Sequence, residues 1–240
     1  MVTNNEPHSP QPNPAHTQPE DNTNVGLLIG ILVVAAFVVI LNETTLTVAL
    51  PVLMKDFGIT PEAAQWLTTS FMVTMAVVIP TTGWIMQRFT LRAIYIFALL
   101  TFLAGTILAA VSSTFAVLLL ARIIQACGTA LVIPLLMTTI MRLVPVERRG
   151  GVMGLVSVVI AVAPAIGPTF SGFVLEHLTW HWTFLLIIPL VVIALIIGVW
   201  QVKNFETPSR PSLDVLSVIL SAVGFAGLIY GMAGLASLAE

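Results

Sequence analysis

Seven apolar runs follow one another along the chain, at about Val25 to Leu50, Trp66 to Met86, Ala93 to Ser112, Phe115 to Met141, Val152 to Leu175, Phe184 to Val202 and Val215 to Leu238. Each approaches the length of about 20 residues that a helix needs to cross a bilayer. In lipid every backbone N–H and C=O must find its partner inside the protein, which leaves helices and closed barrels. Runs this long without alternation specify helices, so the expected fold is an all-α polytopic membrane protein. A mean hydropathy of +1.02, with 58% apolar and 8% charged residues, fits a core solvated by lipid and not a soluble domain.

Residues 1–24, rich in Pro, Asn, Gln, Thr and His and without Lys or Arg, read as a disordered cytoplasmic tail. Residues 25–202 form a six-helix transmembrane bundle in two three-helix repeats. Residues 203–214, with Pro208 and Pro211, form a cytoplasmic linker, and 215–238 a seventh helix. With the N-terminus inside, the inner loops collect Arg88, Arg92, Arg142, Arg148, Arg149, Lys203 and Arg210, while the outer loops hold Lys55. That asymmetry sets the orientation: odd spans run outward and even spans inward. A net charge of -2 without a dense basic cluster excludes a nucleic-acid surface. The single cysteine, Cys127, lies in a span and cannot form an intrachain disulfide. No nucleophile–base set, metal cluster or phosphate loop points to an enzyme, a metal site or a cofactor.

Arg122 is the residue that composition does not explain. A guanidinium near mid-membrane costs roughly 2.5 to 3.5 kcal/mol, faces the bundle interior and has a partner. The acid within another span is Glu43. Glu43 precedes Pro51 by about eight residues and Arg122 follows Thr114 by about eight, so on antiparallel helices both lie roughly 12 Å from the same face. They also occupy the first helices of the two repeats, the arrangement of transporters with sites at a repeat interface. Around them, Asn42 and Thr44 flank the acid, and Gln125 shares a helical face with Arg122. A carboxyl held between desolvation and a nearby cation can exchange protons with both sides of the membrane. A permanent structural ion pair is the alternative.

In the fifth span Ala163, Gly167 and Ser171 repeat every four residues and make a groove that another helix can enter closely, beside Pro164 and Pro168. An apolar, aromatic binding site would draw on Trp66, Thr68, Thr69, Phe71 and Met72 of the second span, with packing as the alternative for each.

Together these stretches resemble the major facilitator superfamily, and within it the N-terminal half of the fourteen-helix drug:proton antiporters of the EmrB/QacA-like family. The fourth span is similar to L-x-x-x-R-x-x-Q-G-x-G-A through Leu118, Arg122, Gln125 and Gly128, with Ala126 at the first glycine and an alanine, Ala130, one place past the last position. The fifth resembles the antiporter motif G-x8-G-x3-G-P-x2-G-G through Gly154, Gly167, Pro168 and Gly172, with Ala163 and Ser171 for two glycines. The end of the first span resembles L-D-x-T-I-V-N-V-A-L-P, with Asn42 at the aspartate position and the acid one place on at Glu43. A subgroup with L-N-E-T here, which includes lincosamide-type exporters, is more similar. The inner loop resembles G-x-L-a-D-R-x-G-R-R through Gly83, Ile85, Arg88 and Arg92, with Gln87 and Thr90 as departures.

The resemblance implies a proton-coupled multidrug efflux antiporter in the plasma membrane of a bacterium, driven by the proton gradient without a cofactor. Glu43 and Arg122 would carry the proton coupling, and Gly83, Arg88 and Arg92 would form a cytoplasmic gate loop. The partners would be the lipid bilayer, protons, small hydrophobic or cationic drugs, and a second half on the same chain, a separate chain or a second copy. An uncoupled facilitator and a non-transporting half-length structural or regulatory membrane protein are the alternatives.

Overall fold

The computed structural model describes residues 25–202 and, beyond them, Leu220, Val223, Gly224, Gly227 and Gly231. The predicted tail 1–24 and the linker 203–214 lie outside the described residues, as does the seventh span apart from those isolated positions. The order is α1 (Val25–Phe57), α2 (Pro61–Arg88), α3 (Leu91–Ala110), α4 (Phe115–Leu143), α5 (Val146–His177), α6 (His181–Leu185) and α7 (Ile187–Gln201). Among the described residues six helical stretches are long and apolar enough to cross a membrane, α6 and α7 together forming the sixth.

The helix starts follow local chemistry. Thr60, Thr90 and Thr114 cap α2, α3 and α4, each hydroxyl accepting the backbone N–H three residues on, at 3.3, 3.3 and 3.4 Å. Pro61 occupies the first turn of α2, where its missing N–H costs nothing. At the far end of α4, Arg149 donates from Nε to the carbonyl of Val144 at 2.9 Å and from Nη2 to that of Met141 at 2.7 Å. A loop arginine thereby satisfies carbonyls that the helix end leaves open.

Several boundaries differ from the sequence expectation, α2 starting at Pro61 and α5 at Val146 among them. The first span continues as helix through Pro51 to Phe57, so the outer loop shrinks to the turn at Gly58, whose φ of 61° suits glycine. The sixth span starts earlier, at His181, and is interrupted at Leu186. Pro164 and Pro168 both lie inside a continuous α5.

Buried apolar side chains gather in two clusters. One joins Leu28 to Val39 of α1 with Ile94 to Phe102 of α3, Leu131 to Ile140 of α4, and Val191 and Ala194 of α7. The other joins Leu46, Ala49 and Leu53 of α1 with Leu67, Ala109, Leu118, Ala121, Trp180 and Phe184. The N-terminal half of α1 thus meets the C-terminal half of α4, and the two helices run in opposite directions. Between the clusters lies a buried polar layer of Asn42, Thr45, Thr106, Arg122, Gln125, Thr129 and Ser171.

Candidate functional site

Arg122 stands at the centre of that layer and is 1% exposed. Its Nη1 donates to Gln125 Oε1 at 3.0 Å, one helical turn along α4, and to Asn42 Oδ1 of α1 at 3.4 Å. Its Cζ lies 4.1 Å from the ring centroid of Phe71 on α2, within reach of a cation–π interaction. Gln125 Nε2 in turn donates to Thr106 Oγ1 of α3 at 2.9 Å. One guanidinium therefore ties four helices together. Glycine makes room for this: a Cβ on Gly105 would sit 2.7 Å from Gln125 Cγ, and one on Gly128 would collide with Ala98 O and Phe102 of α3. Arg122 Nε has no hydrogen-bond partner among the described residues.

The expected direct partner of Arg122 was Glu43, and here the geometry corrects the expectation. No hydrogen bond or ion pair joins the two; Asn42 makes the contact, and Glu43 interacts with the guanidinium only through space. The reason is rotation, since one residue along a helix is about 100° around it. With Asn42 turned toward α4, Glu43 is turned toward α2. There it lines an open cleft of about 370 Å³ together with Met72, Met75, Ala76, Ile79 and Pro80. A single carboxylate in an apolar wall can hold a proton or meet a cationic group.

The second-span candidates separate accordingly. Met72 lines the cleft beside Glu43. Phe71 is 1% exposed, with its ring against Arg122 and outside the cleft lining. Trp66 is exposed away from the cleft lining, and Thr68 and Thr69 are half-buried outside it. Sequence reasoning missed Met75, Ala76, Ile79 and Pro80. Met72, Met75 and Ile79 do fall at i, i+3 and i+7, the spacing of one helical face. Thr106 was missed as well, because a lone threonine in an apolar helix carries no signal of its partner.

The fifth-span motif also divides. Ala163, Gly167 and Ser171 are buried, and α1 enters the groove they make. Ser171 Oγ donates to the carbonyl of Thr45 at 3.0 Å, and a Cβ on Gly167 would strike Thr44 Oγ1. Gly154, Pro168 and Gly172 are exposed. Thr44, expected as support for the acid, bonds back to the carbonyls of Ile40 and Leu41. Of the residues expected in a gate loop, Gly83 and Arg88 lie in the last two turns of α2 and Arg92 in the first turn of α3, all three exposed, and the connection shrinks to Phe89 and Thr90, the cap of α3.

The sequence profile described as Major Facilitator Superfamily matches residues 32–239, and the chain belongs to that superfamily. It is a multi-pass membrane protein of a transporter family. It is 47% identical over 214 residues to the uncharacterized MFS-type transporter YcnB of Bacillus subtilis strain 168, covering 89% of this chain and 45% of that protein. To the lincomycin resistance protein LmrB of the same strain it is 44% identical over 200 residues, covering 83% of this chain and 42% of that one. The chain thus spans less than half the length of these relatives. A crystal structure of the peptide transporter POT in complex with sulfate shares the fold with a TM-score of 0.67 at 17% identity, over 88% of this chain and 46% of POT.

Proposed function

We propose that the chain is the N-terminal part of a proton-coupled multidrug efflux antiporter, exporting hydrophobic or cationic drugs from a bacterial cell in exchange for protons. The observation that carries this reading is Glu43, a carboxylate set in an apolar, methionine-bearing cleft beside a buried guanidinium. The kinship with a protein named for lincomycin resistance supports the drug class. In the cycle we infer, Glu43 takes a proton from outside as drug leaves outward, releases that proton to the inside, and as the deprotonated site then accepts drug from the inner leaflet. Arg122 contributes a fixed positive charge that biases the carboxyl. We read the membrane as the plasma membrane, with the N-terminus cytoplasmic and the arginines at the α2–α3 and α4–α5 turns inside. The exposed faces of α2 and α5 we read as the surface that a second half covers.

Cells expressing the chain together with its second half and loaded with lincomycin test the proposal. Efflux faster than in control cells, abolished by a protonophore, is the expected result. Efflux that survives the protonophore would establish an uncoupled facilitator instead, and efflux no faster than the control would count against export.

A further inference from the structure

Asn42 and Glu43 are neighbours in sequence with opposite surroundings. Asn42 is 2% exposed with its Oδ1 on the guanidinium, while Glu43 is half-buried on the α2 cleft. Among the described residues, the groups that touch Arg122 are uncharged: the Asn42 and Gln125 amides and the Phe71 ring. A buried cation without an ion-paired anion depends on such contacts to stay in place, and a free guanidinium swings to any carboxylate within reach.

We propose that Asn42 is the positioning residue that holds Arg122 off Glu43, and that Glu43 acts as a lone carboxylate of the α1–α2 cleft. The two positions are not interchangeable. A carboxylate moved to position 42 would be packed against the guanidinium, about 100° around α1 from the cleft, and could not do what Glu43 does. Without an acceptor at position 42, Arg122 would close onto Glu43 and remove it from the cleft. The identity of the ligand that meets Glu43 rests on the exporter reading; the separation of the two roles does not.

Dicyclohexylcarbodiimide, an apolar reagent that attaches to protonated carboxyls in apolar surroundings, reads the separation without requiring transport. Membranes carrying the full chain are treated with it, and peptide mass spectrometry locates the adduct. In the wild type the adduct forms on Glu43. In Asn42→Asp it still forms on Glu43, because the new side chain keeps the guanidinium occupied, and position 42 stays unmodified. In Asn42→Leu, which removes the acceptor, the Glu43 adduct falls about tenfold as the guanidinium turns to the carboxylate. A purely packing role for Asn42 would leave that yield unchanged. In Asn42→Asp/Glu43→Gln neither position is modified. The proposal is overturned if Asp at position 42 is modified as readily as Glu43, if Asn42→Leu leaves the Glu43 adduct intact, or if Asn42→Asp loses it. Lack of lincomycin efflux alongside the expected labelling would remove the exporter reading and leave this inference standing.

Discussion

The helices of this bundle fall into two kinds. In their most apolar stretches α1, α3 and α4 are buried inside the protein over 61%, 50% and 56% of their residues, whereas α2 and α5 are buried over only 11% and 17%. The first group is fixed by close approach and polar ties: Gly105 and Gly128 at the α3–α4 contact, and the chain from Asn42 through Arg122 and Gln125 to Thr106. The second group buries few residues, among them Ala64, Leu67 and Phe71 on α2 and Ala163, Gly167 and Ser171 on α5. Burial, more than hydropathy, separates the two sets. One set of helices makes a rigid frame that places charge, and the other presents faces that can slide against something else.

Glycine substitutions probe this contrast most strongly. Gly128→Leu forces a side chain into Ala98 and Phe102 and should cost about 3 kcal/mol or more. Gly154→Leu and Gly172→Leu, which meet nothing within 4 Å, should be nearly neutral for the isolated fold. Thermal denaturation in detergent distinguishes them; equal losses would erase the distinction between frame and face. Next in size is Gln125→Leu, which leaves Arg122 and Thr106 without their shared amide and should cost about 2 kcal/mol. A cost no greater than that of a surface substitution would remove the polar ties from the account. Ser171→Ala, which breaks one bond to the Thr45 carbonyl, should cost about 1 kcal/mol while sparing the groove. Ser171→Leu, which fills the groove, should cost more, and the reverse order would mean that α1 does not enter there. The smallest effect on stability is expected for Glu43→Gln, within about 0.5 kcal/mol, because no hydrogen bond of the frame ends on that side chain.

Much of this was readable from sequence, for physical reasons. Lipid leaves a chain of long apolar runs little choice but helices, so the six-helix bundle followed from hydropathy. The spacing of Ala163, Gly167 and Ser171 named the three small residues that α1 meets, and the step from Arg122 to Gln125 put charge and amide on one face. What could not be read was the rotation of α1. That helix is apolar on nearly every side, so nothing in its pattern says whether Asn42 or Glu43 faces α4. The surroundings of Phe71 were hidden for a related reason, since an aromatic in an apolar helix looks the same whether it lines a cleft or lies beneath a guanidinium. The partner of Thr106 depended on how α3 and α4 approach, which is fixed by Gly105 and Gly128 and not by the threonine.

The central claim is that Glu43 carries the proton exchanged for drug, and drug-driven proton movement tests it most directly. In everted membrane vesicles with an established proton gradient, reported by the quenching of an acridine dye, lincomycin should release protons with the wild-type protein. With Glu43→Gln, inserted to the same level, it should release none. Proton release of wild-type size from Glu43→Gln would contradict the account.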